Sequence, residues 1–252
     1  MVDTHKIAAF LDKELRVSEF SDSSNNGLQV ENSGCVTKIC CGVDASMEFF
    51  VEANRRNADF VVCHHGLSWG DSLKRITDLN YKRLSFLIKH DMALYASHLP
   101  LDAHPQYGNN ALICKALGLR HLRKFGKYHG VEIGYQGELP RPMKREDFKK
   151  LVSKAMGREL QTMDFGKTTV KSVAVVSGGA ADQLMEAGQK GVDMYLSGET
   201  ALHVYSCAQE YGINAIFAGH YATEVFGVRA LAELLGRRFN VAAEFVDLGI
   251  KY

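Results

Sequence analysis

The sequence lacks several features that would each point to a particular class of protein. Its six cysteines form no CxxC pair, and Cys40 and Cys41 are adjacent on an apolar stretch. Because neighbouring side chains on a strand face opposite sides, these two thiols are poor disulfide partners. We therefore expect reduced, mostly buried cysteines in a reducing compartment.

Long apolar runs and an excess of charge of one sign are also missing. No apolar run approaches the roughly 18 residues needed to span a bilayer, and the first residues lack the basic and then apolar pattern of a signal peptide. Lysine and arginine total 30 against 29 aspartates and glutamates, so the net charge of +1 argues against a general nucleic-acid binder but leaves room for local basic clusters. We expect a cytoplasmic protein that does not enter a membrane.

What the sequence has is a repeated alternation of short apolar strands and amphipathic helices, which predicts the α/β class. The 252 residues can form one large domain or two small ones. A strand over 38–43, a helix to about residue 56 with Asp44 or Ser46 as its cap, and a strand over 58–63 form a unit whose strands are normally parallel. We predict further helices over 4–20 (capped by Thr4), 73–90, 109–117, 145–156, 180–190, 200–211 and 225–235. Further strands are predicted over 92–96, 171–177, 192–196, 215–218 and 241–248, with a turn at Pro140 and Pro142.

Three of the predicted strands end in histidine. The first leads into His64-His65-Gly66, the second into His98 and, four residues on, Asp102, and the third into His220 and, four residues on, Glu224. A single histidine at a strand end is more often an ordinary polar residue than a metal ligand. Two adjacent imidazoles after a buried strand need partners, however, and a turn at Gly66 would let each serve one metal. Imidazole and carboxylate ligands together suit zinc, manganese or iron(II) without choosing among them.

Two stretches of the chain match one another in pattern, although their identity is thin. Residues 38–66 and 171–199 both run strand, turn, helix, strand, and Asp59 then matches Asp193 while His65 matches Glu199. An internal duplication predicts two similar lobes, over 1–125 and 126–252, with ligands at the carboxyl ends of strands around one cleft. Within this scheme His98 and Glu199 are further ligands, partners that orient a ligand, or a proton relay.

Five blocks in order carry a resemblance to the Nif-three-like dinuclear-metal family, often labelled GTP cyclohydrolase 1 type 2 homologs. The blocks are Asn26-Gly27-Leu28-Gln29-Val30, His64-His65-Gly66-Leu67-Ser68-Trp69, His98-Leu99-Pro100-Leu101-Asp102, Ser177-Gly178-Gly179-Ala180-Ala181-Asp182 and Gly219-His220-Tyr221-Ala222-Thr223-Glu224. Together they extend over nearly the whole chain.

The resemblance implies two divalent metal ions per chain and a particular set of ligands. By the family's pattern His65 and Asp102 hold one metal, His64 and His220 hold the other, and Glu224 bridges them. The resemblance also implies two similar intertwined α/β lobes with the metal site between them, and a toroidal homohexamer assembled as a trimer of dimers. Many members insert a large domain between the lobes, which this chain of 252 residues lacks.

Two neighbouring cations lower the pKa of a shared water and polarise the bond under attack, which is hydrolase chemistry. The expected function is therefore metal-dependent hydrolysis of a nucleotide or related heterocycle, as in a GTP cyclohydrolase, with Glu224 and His98 as candidate catalytic residues. Two alternatives stay open. One is a non-catalytic, metal-stabilised ring that binds a protein or a nucleic acid, and the other is a dinuclear phosphoesterase or peptidase.

Two further stretches allow both a structural and a functional interpretation. Ser177-Gly178-Gly179 lies between a strand and a helix, where it is either a tight turn or a phosphate-binding loop. The basic run is a solvated face by default, or a surface that attracts a triphosphate or nucleic acid; its members are Arg120, Arg123, Lys124 and Lys127.

Overall fold

The computed structural model describes all 252 residues and shows a mixed α/β protein. Its internal contacts group the chain into two compact units, Met1–Leu101 with Gly227–Gly249 and Asp102–Phe226 with Ile250–Tyr252. The predicted lobes, 1–125 and 126–252, have their boundary at residue 125, whereas the first unit gives way to the second after Leu101. They also assign 227–249 to the second lobe rather than to the first.

The helices and strands follow one another along the chain as the alternation of patterns predicts. In the first half they are β1 (Val2–Asp3), α1 (Thr4–Glu14), β2 (Gly27–Val30), β3 (Cys35–Val36), β4 (Lys38–Asp44), α2 (Met47–Arg55), β5 (Phe60–His65), α3 (Asp78–Lys89), β6 (Ala93–Ala96), α4 (Leu99–Ala103), α5 (Asn109–Ala116) and β7 (Arg120–Tyr128). In the second half they are β8 (Val131–Lys144), α6 (Arg145–Met156), β9 (Gln161–Asp164), β10 (Thr169–Val175), α7 (Gln183–Gln189), β11 (Met194–Ser197), α8 (Leu202–Tyr211), β12 (Asn214–Phe217), α9 (His220–Phe239) and β13 (Ala242–Phe245).

The first unit is built on a five-stranded sheet in the order β13-β4-β5-β6-β2. All neighbouring pairs are parallel except β2 with β6. Strands β4 and β5 are apolar on both faces, as expected for parallel strands covered on both sides, and Cys40 and Val61 are fully buried in the core beside Phe50 of α2. The carboxyl ends of β4, β5 and β6 therefore meet at one edge of this sheet.

The second unit is built on a six-stranded sheet in the order β7-β8-β10-β11-β12-β9. Its three central strands β10, β11 and β12 are parallel, and β8 and β9 flank them in antiparallel orientation. The core on this sheet includes Val173, Leu196 and Ile216, with Phe148 of α6 packed among them. No helix in either unit has both the length and the apolar character needed to cross a membrane.

The two sheets share one arrangement: three parallel strands and then an antiparallel one, β4-β5-β6-β2 in the first unit and β10-β11-β12-β9 in the second. The matched aspartates also make matched contacts. Asp59 accepts hydrogen bonds from the backbone N–H groups of Thr37 and Lys38, and Asp193 accepts them from those of Lys171 and Ser172. The prediction of two similar α/β lobes is confirmed.

The first helix is shorter than predicted and begins at a different cap. Asp3 is the N-cap and accepts from the N–H of Lys6, whereas Thr4 is buried and donates its hydroxyl to Asn32. The helix ends at Glu14, and Arg16 in the left-handed region (φ 53°) prevents its continuation to residue 20. In contrast, α2 is capped as expected by Ser46, one of its two candidate caps.

The turn predicted at Pro140 and Pro142 is wrong, because both prolines lie inside the long strand β8. Proline cannot donate to a sheet ladder and is confined to edges and bulges. The structure has a register shift there, between Val170 and Ser172 of the neighbouring strand β10. The irregularity lets one continuous strand contain both prolines.

Candidate metal centre

Three histidines meet at the carboxyl edge of the sheet in the first unit. His64 and His65 are the last residues of β5, and His98 follows the neighbouring parallel strand β6. One ring nitrogen from each histidine lies within 4.8 Å of those of the other two, and the ring centroids of His64 and His98 are 5.2 Å apart. The structure therefore brings together the two histidines predicted as ligands and the one left as a candidate catalytic residue.

Each of the three imidazoles has its Nδ1 held by an oxygen. Nδ1 of the fully buried His64 lies 2.9 Å from the carbonyl oxygen of Ser97. Nδ1 of His65 lies 2.8 Å from Oδ1 of Asp44, and Nδ1 of His98 lies 3.0 Å from Oδ1 of Asp22. A carbonyl or carboxylate oxygen accepts, so Nδ1 carries the hydrogen and Nε2 carries the lone pair. Histidines that bind metals in proteins are usually held in this way.

The partner of His98 is itself fixed by several donors. Asp22 accepts hydrogen bonds from the amide of Asn26 (2.9 Å) and from the backbone N–H groups of Ser24 (3.1 Å) and Leu99 (3.0 Å). Burial favours the neutral acid, but the hydrogen bond and charge of His98, together with these donors, hold the pKa of Asp22 well below its usual range. Asp22 is thus a carboxylate built to orient an imidazole.

Gly66 is required by close approach rather than by a left-handed turn. A Cβ at this position would lie 2.4 Å from Oε1 of Gln29 and 2.5 Å from Cβ of Ala96, and Gly66 is not among the glycines with positive φ. Gln29 uses the same Oε1 to accept from the N–H groups of Leu67 (2.7 Å) and Ser68 (3.0 Å). Gly66 is therefore needed because its backbone packs closely against Gln29, and not because the chain turns there as predicted. The side chain of Gln29 in turn holds the loop that follows Gly66.

Trp69, the single tryptophan of the chain, lies against the three histidines. Its ring centroid is 5.0 Å from that of His98 and 5.9 Å from that of His65, and its indole N–H donates to the carbonyl oxygen of Gly66 at 2.8 Å. The indole therefore forms an aromatic wall beside the imidazoles.

In the second unit, His220 and Glu224 lie one turn apart at the start of α9. This helix was predicted from residue 225, so the structure moves both residues from a loop onto one helical face. Nδ1 of His220 lies 2.6 Å from Oε1 of Glu199, and its Nε2 lies 3.1 Å from Oε1 of the buried Glu224. Burial lowers the pKa of His220, but the two carboxylates outweigh it and raise that pKa to about 9. Glu199 is the orienting partner, one of the roles left open for it.

Asp102 is buried in the second unit and held by neutral donors. Its Oδ1 accepts from the amide of Asn109 and from the hydroxyl of Ser177, both at 2.9 Å. These two hydrogen bonds fix the direction of the carboxylate. This suits a carboxylate that provides an oxygen ligand to a cation.

The loop at Ser177-Gly178-Gly179 is a structural turn. Gly178 is in the left-handed region (φ +67°), and a Cβ there would lie 2.3 Å from Oε1 of Glu224. Its N–H donates to the hydroxyl of Thr223 at 3.0 Å, and the N–H of Ser177 donates to Asn110 at 2.6 Å. Because these donors are used within the protein, the structure favours the turn over the phosphate-binding loop.

The orienting carboxylates are what the interpretation of the sequence missed. Asp22 lies in a polar loop that offers no local signal. Asp44 was considered only as a helix cap, yet it lies opposite His65 in the parallel pair formed by β4 and β5. This pairing could have been predicted, because both residues stand at the carboxyl ends of strands that were expected to be parallel neighbours. The matched Glu199 was found, because the repeat aligns it with His65.

Comparisons with known proteins find similar chains over nearly the whole length of this one. Residues 2–249 match the family model described as Duf34/NIF3 (NGG1p interacting factor 3). A protein of Archaeoglobus fulgidus named GTP cyclohydrolase 1 type 2 homolog is 40% identical over 243 residues, which cover 96% of this chain and 97% of that protein. A crystal structure of a Thermus thermophilus protein covers 100% of both chains with a TM-score of 0.92 and 34% identity, and a structure of a protein of unknown function, ybgI, does so with a TM-score of 0.94 and 33% identity.

Proposed function

This chain belongs to the Duf34/NIF3 family, and from that premise we propose that it is a hydrolase that uses two divalent metal ions. The proposed ligands are His64, His65, Asp102, His220 and Glu224. Zinc, iron(II) and manganese(II) all suit a donor set of this kind.

The observation that carries the proposal is the orientation of the imidazoles. His64, His65, His98 and His220 each have Nδ1 within hydrogen-bond distance of a carbonyl or carboxylate oxygen. Imidazoles fixed in this way are expected of metal ligands, and three of these four, all except His98, are proposed ligands. The space over Gly178, which a Cβ would fill against Glu224, is a second feature that suits an ion.

When bound, two such cations supply Lewis acidity, which lowers the pKa of a water and polarises the bond that it attacks. The protein's own groups then position and move protons. Asp44 and Glu199 accept the Nδ1 hydrogen bonds of His65 and His220. Each carboxylate thereby raises the basicity of the opposite ring nitrogen, Nε2, which would bind the metal. We assign Glu224 and His98 as the catalytic residues, since a carboxylate and an imidazole can each accept a proton from the attacking water.

For the substrate we propose a nucleotide or a related heterocycle. Relatives at about 40% identity are named GTP cyclohydrolase 1 type 2 homolog, and that name is the support for this class of substrate. The proposed reaction is hydrolytic opening of the imidazole ring of the guanine base with release of formate. A phosphoester or an amide is the alternative target of the same water.

The test is metal analysis of the purified protein followed by assay of formate release from GTP, with phosphoesters and peptides as further substrates. We expect about two metals per chain and turnover that is lost in Glu224→Ala and His65→Ala. Glu210→Ala, which removes an exposed carboxylate on α8, is the matched control and should retain both the bound metal and the turnover. A metal-loaded protein that hydrolyses none of these substrates would sink the proposal.

The second candidate is a non-catalytic, metal-stabilised ring that binds a partner. It is favoured by the basic strand β7, an edge strand on which Arg120 and Arg123 are exposed. Lys124, by contrast, donates to the carbonyl oxygen of Ala103 at 2.6 Å. Binding of RNA or DNA that survives His65→Ala and is lost on replacing both arginines by glutamine would support this candidate over the hydrolase.

We also propose that the chain assembles into a homohexamer, a trimer of dimers. Large apolar side chains at the surface support self-association, notably Leu202 (93% exposed) on α8 and Ile88 (67% exposed) on α3. Light scattering coupled to size exclusion should give six chain masses, and Leu202→Asp should reduce that mass. A monomer at micromolar concentration would exclude the ring.

A further inference from the structure

The turn that leads into α9 places both of the proposed ligands that this helix carries. His220 is the first residue of α9, and Glu224 lies one turn further on. The N–H of Gly219 donates to the carbonyl oxygen of Gly198 at 2.8 Å, and the carbonyl oxygen of Gly219 accepts from the N–H of Thr223 at 3.1 Å. The position of Gly219 therefore sets the position of both proposed ligands.

The guanidinium of Arg158 packs on the backbone of Gly219. Gly219 has a φ of +91°, and a Cβ at this position would lie 1.8 Å from Nη1 of Arg158, so only glycine allows this contact. Arg158 is itself fixed just after α6, where its N–H donates to the carbonyl oxygen of Ser153 at 3.3 Å and its carbonyl oxygen accepts from the hydroxyl of Ser153 at 2.7 Å. A cation attached to a well-held backbone thus lies against the residue that precedes His220.

The same guanidinium binds an oxygen of Tyr252, the last residue of the chain, and this oxygen belongs to a carboxylate. Nη1 of Arg158 donates to it at 3.1 Å, and it also accepts from the N–H of Tyr221, in the first turn of α9, at 3.3 Å. Nη2 donates to the carbonyl oxygen of Lys251 at 3.5 Å. The carboxylate of Tyr252 therefore joins Arg158 to the start of the helix.

The charges at this helix start explain why the three groups occur together. The first N–H groups of a helix carry partial positive charge, so a cation alone is unfavourable beside them and an anion is favourable. The carboxylate of Tyr252 satisfies one of these N–H groups and offsets the charge of Arg158. The other carboxylates nearby are engaged elsewhere, since Glu199 is bonded to His220 and Glu159 is exposed to solvent.

We propose that Arg158 is a positioning residue for the part of the metal centre that lies in the second unit. Its guanidinium fixes the start of α9 by bonding to Tyr252 and by packing on Gly219. It thereby sets the direction in which His220 and Glu224 present their ligand atoms, and such sites tolerate displacements of only about 0.5 Å. Arg158 acts through the backbone of α9 and not by contact with a metal or a substrate. The inference rests on the proposed function only in taking these two residues as metal ligands.

The test measures the Zn²⁺ affinity of Arg158→Gln by competition between metal-free protein and a chromophoric chelator. We expect the affinity to fall by about tenfold, as for other residues that hold metal ligands in place. With Co²⁺ as the probe, the visible absorption of the saturated protein should also change, because it depends on the geometry of the ligands. The matched control is Lys154→Gln, which removes an exposed charge from the last turn of α6 and should change neither result.

A purely structural role for Arg158 predicts a different result. Asp59→Ala removes hydrogen bonds to Thr37 and Lys38, none of which is made to a proposed ligand. It should lower the melting temperature and leave the Zn²⁺ affinity and the Co²⁺ spectrum unchanged. If Arg158→Gln behaves in the same way as Asp59→Ala, the inference is overturned.

If Arg158→Gln does not fold, Arg158→Lys provides the test. An ammonium keeps the charge but lacks the planar fork that spans Lys251 and Tyr252. We then expect the Zn²⁺ affinity to fall by about threefold or more, and an unchanged affinity would overturn the inference. Weaker Zn²⁺ binding by the variant, without turnover in the metal-loaded unchanged protein, would retain this inference while removing the proposed hydrolase. Turnover in the unchanged protein with no loss of Zn²⁺ affinity in the variant would do the reverse.

Discussion

Oδ1 of Asp44 lies 2.8 Å from Nδ1 of His65, at the shared carboxyl edge of two parallel strands. Because a carboxylate oxygen accepts, the hydrogen bond places the proton of His65 on Nδ1 and leaves the lone pair on Nε2. The same chemistry recurs in the second unit, where Glu199 holds His220.

Replacing Asp44 by asparagine should therefore weaken metal binding without removing a ligand. An amide can present its N–H to the imidazole and reverse the tautomer, so we expect the affinity for Zn²⁺ to fall by about tenfold to a hundredfold. Competition with a chromophoric chelator measures this. Asp71→Asn, at an exposed position, is the control. Equal affinity in Asp44→Asn and the unchanged protein would contradict an orienting role for Asp44.

Gly178→Ala should disturb the metal ligands through the added methyl group. Its Cβ would lie 2.3 Å from Oε1 of Glu224 and 3.1 Å from Nε2 of His220. Gly191 has the same φ of +67° but has nothing within 4 Å of its would-be Cβ, so Gly191→Ala reproduces the backbone strain alone. We expect bound metal, measured by plasma emission spectrometry, to fall in Gly178→Ala only. An equal loss in both variants would assign the effect to strain.

Metal binding should change the fluorescence of Trp69, because its ring lies 5.0 Å from that of His98 and 5.9 Å from that of His65. Since it is the only tryptophan, the emission reports on this edge of the sheet alone. Titration of chelator-treated protein with Zn²⁺ or Mn²⁺ should give a saturable change that His65→Ala abolishes. A flat titration in protein that demonstrably binds metal would place the ions elsewhere.

Asp193 should stabilise the fold in a pH-dependent manner. Burial opposes its ionisation, but Lys167 and the N–H and hydroxyl groups of Ser172, with the N–H of Lys171, outweigh it and lower the pKa of Asp193. A carboxyl whose pKa is lowered on folding stabilises the protein above its unfolded value of 3.8, and this stabilisation is lost as the pH falls through the folded value.

Asp193→Ala should therefore lower the free energy of unfolding by about 1 to 3 kcal/mol at pH 7 and by much less near pH 3. Urea denaturation at both pH values measures the difference. Asp59→Ala, which removes the matched hydrogen bonds in the first unit, should lower it in the same direction at pH 7. If Asp193→Ala lowers the free energy of unfolding as much near pH 3 as at pH 7, the ionised carboxylate of Asp193 is not the source of the stabilisation.

The parts of the fold that could be predicted from sequence are those that depend on local pattern. The strands over 38–43 and 215–218 differ from β4 and β12 by one residue at the ends, because a buried parallel strand is a short continuous apolar run. Errors occurred where tertiary contacts override such patterns. Thr4 is drawn into the core by Asn32, and Pro140 is accommodated by a register shift that involves a distant strand.

The sequence by itself determined the class of the fold, the internal repeat and the residue types of the candidate site, since these depend on periodicity and on the chemistry of side chains at strand ends. Only the tertiary structure decided which carboxylate orients which imidazole. Asp22 and His98 are 76 residues apart and meet through a loop with no periodic pattern. The same holds for Arg158 on Gly219, because a contact between a helix end and a distant strand end depends on packing that no local pattern encodes.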